Sequence, residues 1–227
     1  MRKITIALIL LIFLDAFQCM IFPGYPKVIA TLKTSNGKEL EDAVSVLNQS
    51  GGIIYIDTPI IYIVLSSPII KLSGSTTGGI IGKQQPDGSY PIISFTGTNW
   101  RDCGFEINGS NKYMRYLVIE YARKGIRITG SNNYLDHIIT RYHMGAGIQL
   151  SENAVSNTFQ YCYSYRNIDM LAFVNNASGF SLKPGSSQNV FYYCFAFDNF
   201  NNGWDVNDKE GDSSVSVCIQ PLGIMAI

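Results

Sequence analysis

Between Ser35 and Gly51 the apolar positions Leu40, Ala43, Val44 and Leu47 recur at the spacing that gathers side chains on one face of an α-helix. Ser35 is the expected N-cap, and Gly51-Gly52 ends the helix. Beyond this point the helical period disappears. Short β-branched or aromatic runs, beginning with Ile53 to Ile56 and Ile60 to Leu65, alternate with turns of Gly, Ser, Asn and Pro.

Four later segments superpose on one pattern: an Asn, an aromatic residue two positions on, and a closing Gly-apolar-x-apolar strand. They begin at Asn111, Asn132, Asn157 and Asn189, with Tyr113, Tyr134, Phe159 and Phe191 as the aromatics. Their closing strands start at Gly125, Gly147, Gly179 and Gly203, and Gly104-Phe105-Glu106-Ile107 ends an earlier turn. The asparagines lie 21, 25 and 32 residues apart, so one turn carries an insertion. Repeats of this length built from strands, with no helix in each unit, bury their apolar face only by stacking on one another. The predicted fold is therefore all-β, a right-handed parallel β-helix with a short N-terminal helix covering one end.

The two-residue period assigns directions within each closing strand. The two apolar residues point inward and x points to solvent. Ile126, Ile148, Phe180 and Trp204 are expected in one buried stack. Glu106, Arg127, Gln149, Ser181 and Asp205 are expected in one exposed row, with Lys183 and Asn207 in the next. Tyr192, Tyr193, Phe195 and Phe197 should stack on Tyr161, Tyr163 and Tyr165, with one side of this ladder in the core. His137 aligns with Tyr116 and Tyr161, and His143 lies near a turn. Both are read as structural.

Composition bounds the partners. Lys and Arg number 17 and so do Asp and Glu, with no basic run, so the clustered positive face that nucleic acid requires is not expected. Arg2 and Lys3 precede a 14-residue apolar stretch, Ile4 to Phe17, broken only by Asp15. That length is too short for a transmembrane helix and fits a secretory signal over residues 1–19, leaving one β-helix domain over 20–227 and no membrane contact after cleavage. The expected location is extracellular. Cys103, Cys162, Cys194 and Cys218 then face an oxidising compartment, and their spacing supports no zinc site. Cys162 and Cys194 occupy the same place in adjacent turns, where parallel side-chain directions disfavour a bond, so two stacked free thiols are expected.

The insertion lies between Arg166 and Ser178, beside the exposed row, where solenoids carry function. Asn175, Asn176, Ser178, Asn201, Asn202 and Asp205 gather at that edge. Such oxygen-rich side chains suit either a hard cation or the left-handed corners that Asn tolerates.

The stretches Asn176-Ala177-Ser178-Gly179-Phe180-Ser181-Leu182-Lys183, Asn189-Val190-Phe191 and Asn201-Asn202-Gly203-Trp204-Asp205-Val206 resemble the polysaccharide lyase family 9 pectate lyases. The family pattern there reads ADGFAAK, NVF and DDGWDL, and the likeness extends over about residues 28 to 208. The resemblance implies a secreted protein that acts on or binds polygalacturonate. In the family, calcium held by aspartates neutralises the uronate carboxylate and a lysine removes the C5 proton by β-elimination. That proton lies alpha to a carboxylate, so the developing charge needs a cation.

Residue by residue, the family's first aspartate falls on Ser178, its paired aspartates on Asn201 and Asn202, and its last on Asp205. These four form a degenerate calcium site, with weak or absent Ca2+ binding expected because affinity follows ligand charge. Asn176, Lys183 and Asn207 are the implied substrate contacts. The family's catalytic lysine sits in an NGFKLG strand one turn further on, and the 22 residues after Asp205 contain no such strand. Lys183 is the remaining candidate base, and Lys209 falls in a polar turn. The expected protein is a pectate lyase-like chain without detectable turnover. The alternative is a non-catalytic polysaccharide-binding β-helix or a truncated inactive paralogue. It is expected to be a monomer, with an uncapped C-terminal end that invites self-association.

Overall fold

The structure, a computed structural model, describes residues 26–64, 69–96, 103–168, 177–206 and 217–220. The expected signal segment, the insertion residues 169–176 with Asn175 and Asn176, and Asn207 and Lys209 lie outside these residues. Every strand pairing among the described residues is parallel. The chain starts with strand Val28–Leu32, forms the helix Gly37–Ser50, and then winds into stacked coils. Leu40, Ala43, Val44 and Leu47 are the buried face of that helix, as their spacing predicts. The cap is Asn36 rather than Ser35. Asn36 has extended backbone angles and its side chain accepts the Lys38 N–H at 3.0 Å, which satisfies one of the open N–H groups of the first turn.

Each coil turns three corners, and each corner is one residue in the left-handed region. In four successive coils these are Asn111, Tyr116 and Tyr121; Asn132, His137 and Tyr142; Ser156, Tyr161 and Arg166; and Gln188, Tyr193 and Asp198, with φ between 51° and 63°. The corners recur every five residues. Strands Lys112–Glu120 and Tyr134–Arg141 run straight through the middle corner and join two faces into one twelve-stranded sheet. The third face is a separate sheet of six strands.

The residue after each corner is buried, apart from the half-buried Cys194 and Asn199 of the last coil. These residues form three inner stacks. In the first, Asn133 Oδ1 accepts Lys112 N–H at 2.9 Å, Asn157 Oδ1 accepts Asn133 N–H at 3.0 Å, and Asn189 Oδ1 accepts Asn157 N–H at 3.0 Å. In the third, His143 Nδ1 accepts Ala122 N–H at 3.2 Å, Asn167 Oδ1 accepts His143 N–H at 3.1 Å, and Asn199 Oδ1 accepts Asn167 N–H at 3.2 Å. The middle stack is Leu117, Ile138, Cys162 and Cys194. Its two thiols are free, as expected. Stacked side chains thus satisfy backbone N–H groups that the corners remove from the strand ladders.

This geometry shifts the expected register in the first two coils. Lys112 and Asn133, not Asn111 and Asn132, are equivalent to Asn157 and Asn189. The core row is Met114, Leu135, Phe159 and Phe191, all fully buried, and Tyr113 and Tyr134 lie one position earlier. The inward stack of the third face holds as predicted. Ile126, Ile148 and Phe180 are fully buried, and the half-buried Trp204 stacks on Phe180 with ring centroids 4.2 Å apart.

Candidate functional site

The six-stranded face is built from strands Ile70–Leu72, Cys103–Ile107, Lys124–Ile128, Ile148–Leu150, Phe180–Leu182 and Trp204–Val206. Their registers place Lys71, Glu106, Arg127, Gln149, Ser181 and Asp205 in one outward row. Neighbours along the row interact. Lys71 Nζ is 3.3 Å from Glu106 Oε2, and Arg127 reaches the other oxygen of Glu106 at 3.8 Å. At the far end Asp205 Oδ2 accepts hydrogen bonds from Ser181 Oγ at 3.1 Å and Lys183 Nζ at 3.0 Å. Ser181, expected to be exposed, is only 2% exposed: its hydroxyl is turned into Asp205, and Lys183 closes on the same oxygen.

Ser178 and Asn202 follow Ala146 along one edge of this face. Gly147 N–H donates to Ser178 O at 3.0 Å and Gly179 N–H to Asn202 O at 2.9 Å, while Asn201 N–H donates to Ala177 O at 3.3 Å. Ser178 is buried, and its Oγ has no hydrogen-bond partner among the described residues. Asn201 is half-buried and Asn202 exposed. The positions aligned with the metal site therefore supply a single carboxylate, and that carboxylate already carries an ammonium. Calcium requires six to eight oxygens, with carboxylates setting the affinity. Among the described residues no cluster of three or more His, Cys, Asp or Glu side chains is placed to hold a metal. This donor set does not fit calcium. Lys183, the remaining candidate base, is 3.0 Å from Asp205 Oδ2 and donates to it.

Two further cations on this face were missed by pattern reading. Lys71 extends the outward row at its start, a position visible in Ile70-Lys71-Leu72 once that strand is recognised as a closing strand. Lys124 opens its strand at the edge followed by Ala146. Its pKa is lowered by burial, and Arg123, Arg127 and Lys183 push the same way, whereas Cys103 opposes. Among the described residues, Lys71, Glu106, Arg127 and Asp205 lie in the row, Lys183 two residues beyond Ser181, and Lys124 three residues before Arg127 on its strand.

Both histidines are structural. His137 sits in the middle corner between Tyr116 and Tyr161, ring centroids 5.1 and 4.8 Å away, with Nδ1 2.6 Å from Asp136 Oδ1. Arg115 holds the other oxygen of the buried Asp136, from Nε at 2.9 Å and from Nη2 at 2.8 Å. His143 is buried in the third inner stack, and burial lowers its pKa to about 4. The expected aromatic ladder forms, with Tyr161 on Tyr193, Tyr163 on Phe195 and Tyr165 on Phe197 at 5.2, 5.6 and 4.8 Å. It lies on the outer surface and not against the core: the alternate residues Cys162 and Ser164 point inward, leaving Phe195 and Phe197 39% and 46% exposed.

Residues 27–221 match the Pel9A-like right-handed β-helix region. The chain belongs to this family. It is similar to the crystal structure of pectate lyase Pel9A, with a TM-score of 0.63 and 18% identity over 86% of this chain and 53% of that one. A second similar structure is the alginate lyase from Paenibacillus sp. str. FPU-7, with a TM-score of 0.58 and 10% identity over 78% of this chain and 74% of that one. The chain spans about half the length of Pel9A. No curated protein matches it. The right-handed parallel β-helix is thereby established.

Proposed function

We propose that this chain is a secreted, pectate lyase-like protein that holds polygalacturonate or a related acidic polysaccharide on its six-stranded face without eliminating it. The observation that carries this reading is the contact of Lys183 Nζ with Asp205 Oδ2 at 3.0 Å. Elimination next to a carboxylate needs a cation at the developing charge and a base with a free lone pair, and the two act on one transition state. Here the one aligned carboxylate and the one aligned lysine neutralise each other. Holding a substrate without stabilising its developing charge leaves the barrier unchanged.

Binding is supported independently by the cations Lys71, Lys124, Arg127 and Lys183 on the six-stranded face. Secretion rests on the basic and apolar leader. Among the described residues no helix is long and apolar enough to cross a membrane. Calorimetry of the full chain with polygalacturonate and with neutral galactan tests the reading. Binding to polygalacturonate alone is expected. Equal affinity for both, or for neither, refutes it. Amino-terminal sequencing of the chain recovered from culture medium checks secretion, with a start near residue 20 expected.

A further inference from the structure

We infer that Lys183, Arg127 and Lys124 form a metal-free group of carboxylate-binding cations on the six-stranded face, spread over two coils. This rests on the polyuronate reading above and adds the chemistry of recognition.

Parallel strands are about 4.8 Å apart, so the coil of Arg127 and Lys124 and the coil of Lys183, separated by strand Ile148–Leu150, lie about 10 Å from each other. The outward residue between them is Gln149, which is neutral and hydrogen-bonded sideways to Ser151 at 2.8 Å. Lys183 is held in place by Asp205 from the following coil. An ammonium has three N–H donors, and one contact with Asp205 leaves two for a ligand.

Arg127 is incompletely satisfied. Its approach to Glu106, at 3.8 Å, is an ion pair beyond hydrogen-bond range, and its buried Nε has no hydrogen-bond partner among the described residues. Buried guanidinium N–H groups are ordinarily partnered, and a planar fork of donors matches a carboxylate. Lys124, half-buried, feels the charges of Arg123, Arg127 and Lys183. An arriving anion relieves that repulsion. A linear polymer with a carboxylate on each sugar, crossing these two coils, presents more than one anion to such a group. Asp205 is in this scheme a positioning residue: it fixes the ammonium rather than binding a metal.

The test is calorimetry of the full chain with polygalacturonate oligomers, in buffer containing EDTA and in buffer containing calcium, on the native protein and on Lys183→Gln, Arg127→Gln and Lys124→Gln. Circular dichroism verifies that each variant is folded. The expected result is equal native affinity in both buffers, a loss of about tenfold for Lys183→Gln and Arg127→Gln, and weakening by added salt. Calcium titrated alone is expected to give no binding heat. Binding that requires calcium, or folded variants that bind as the native chain does, overturns the inference and leaves the polyuronate reading standing. Failure of the native chain to bind polygalacturonate in either buffer removes both. Single-stranded DNA bound as tightly as polygalacturonate overturns carboxylate recognition in favour of general polyanion binding.

Discussion

Acidification should destabilise this solenoid through one side chain, His143. Its ring replaces an asparagine in an inner stack, with Nδ1 accepting from Ala122 N–H at 3.2 Å and Nε2 facing Ile119 O at 3.1 Å. A neutral ring with its proton on Nε2 satisfies both. A second proton, on Nδ1, has Ala122 O at 3.3 Å as an acceptor but takes the Ala122 N–H's partner away and leaves a charged ring in the core. Burial lowers the pKa from the ordinary 6.5 to about 4, against the hydrogen bonds to Ala122 and Ile119, which raise it. The unfolded chain takes up a proton near pH 6.5 and the folded chain only near pH 4, so this contribution is complete above 6.5 and is lost as pH falls towards 4. At about 1.36 kcal/mol per unit, the whole window is worth about 3 kcal/mol. Asn167 and Asn199 occupy the same position in the next coils, so His143→Asn keeps the stack while removing the titration. Urea unfolding at pH about 7.5 and about 4.5 should show the native chain losing about 2 to 3 kcal/mol more than His143→Asn. Equal losses in the two proteins would refute the assignment of His143 as the buried neutral ring.

Other sites give sharper structural tests. Asn157→Ala strips partners from Asn133 N–H and Gly130 O and breaks the 2.9 Å bond to Asn189 Oδ1, so a loss of about 2 to 4 kcal/mol is expected by calorimetric melting. Ser156→Ala, on the exposed side of the same corner, should cost less than about 0.5 kcal/mol. A Cβ at Gly147 would overlap Ser164 Oγ and lie 3.0 Å from Asn167 Nδ2, so Gly147→Ala should destabilise by about 1 to 3 kcal/mol in the same assay. Burial, with a hydrogen bond to Cys194, raises the Cys162 thiol pKa. Cys162 should therefore resist thiol reagents until the chain is unfolded, and mass spectrometry should find no Cys162–Cys194 link.

The outward row was legible because the Gly-apolar-x-apolar strands share a period of two, and a constant inward pair fixes x on one face whatever the length of the intervening coil. The inner stacks were not. Asn132 and Asn133 are adjacent asparagines with different tasks: the first tolerates a left-handed corner, the second donates and accepts inside the stack. Spacing alone does not separate them, and in the preceding coil the stack position is Lys112, whose ammonium bonds to Thr76. The corners themselves carry Tyr, His, Arg, Ser, Gln and Asp as well as Asn, so residue type conceals their five-residue recurrence. His143 has the hydrogen-bonding role of an asparagine without resembling one. The Lys183–Asp205 contact joins residues 22 apart on neighbouring coils. It became visible only when the register placed Asp205 directly beside Ser181, within reach of a lysine two residues along the strand.

Retention of polyuronate without cleavage is tested most directly by following the ultraviolet absorbance of unsaturated uronate when the purified full chain meets polygalacturonate at alkaline pH with calcium. With Asp205 neutralised by Lys183, no rise above the protein-free control is predicted, with calcium or with EDTA. A calcium-dependent rise that Asp205→Ala abolishes would contradict this and make Asp205 a metal ligand of a working lyase.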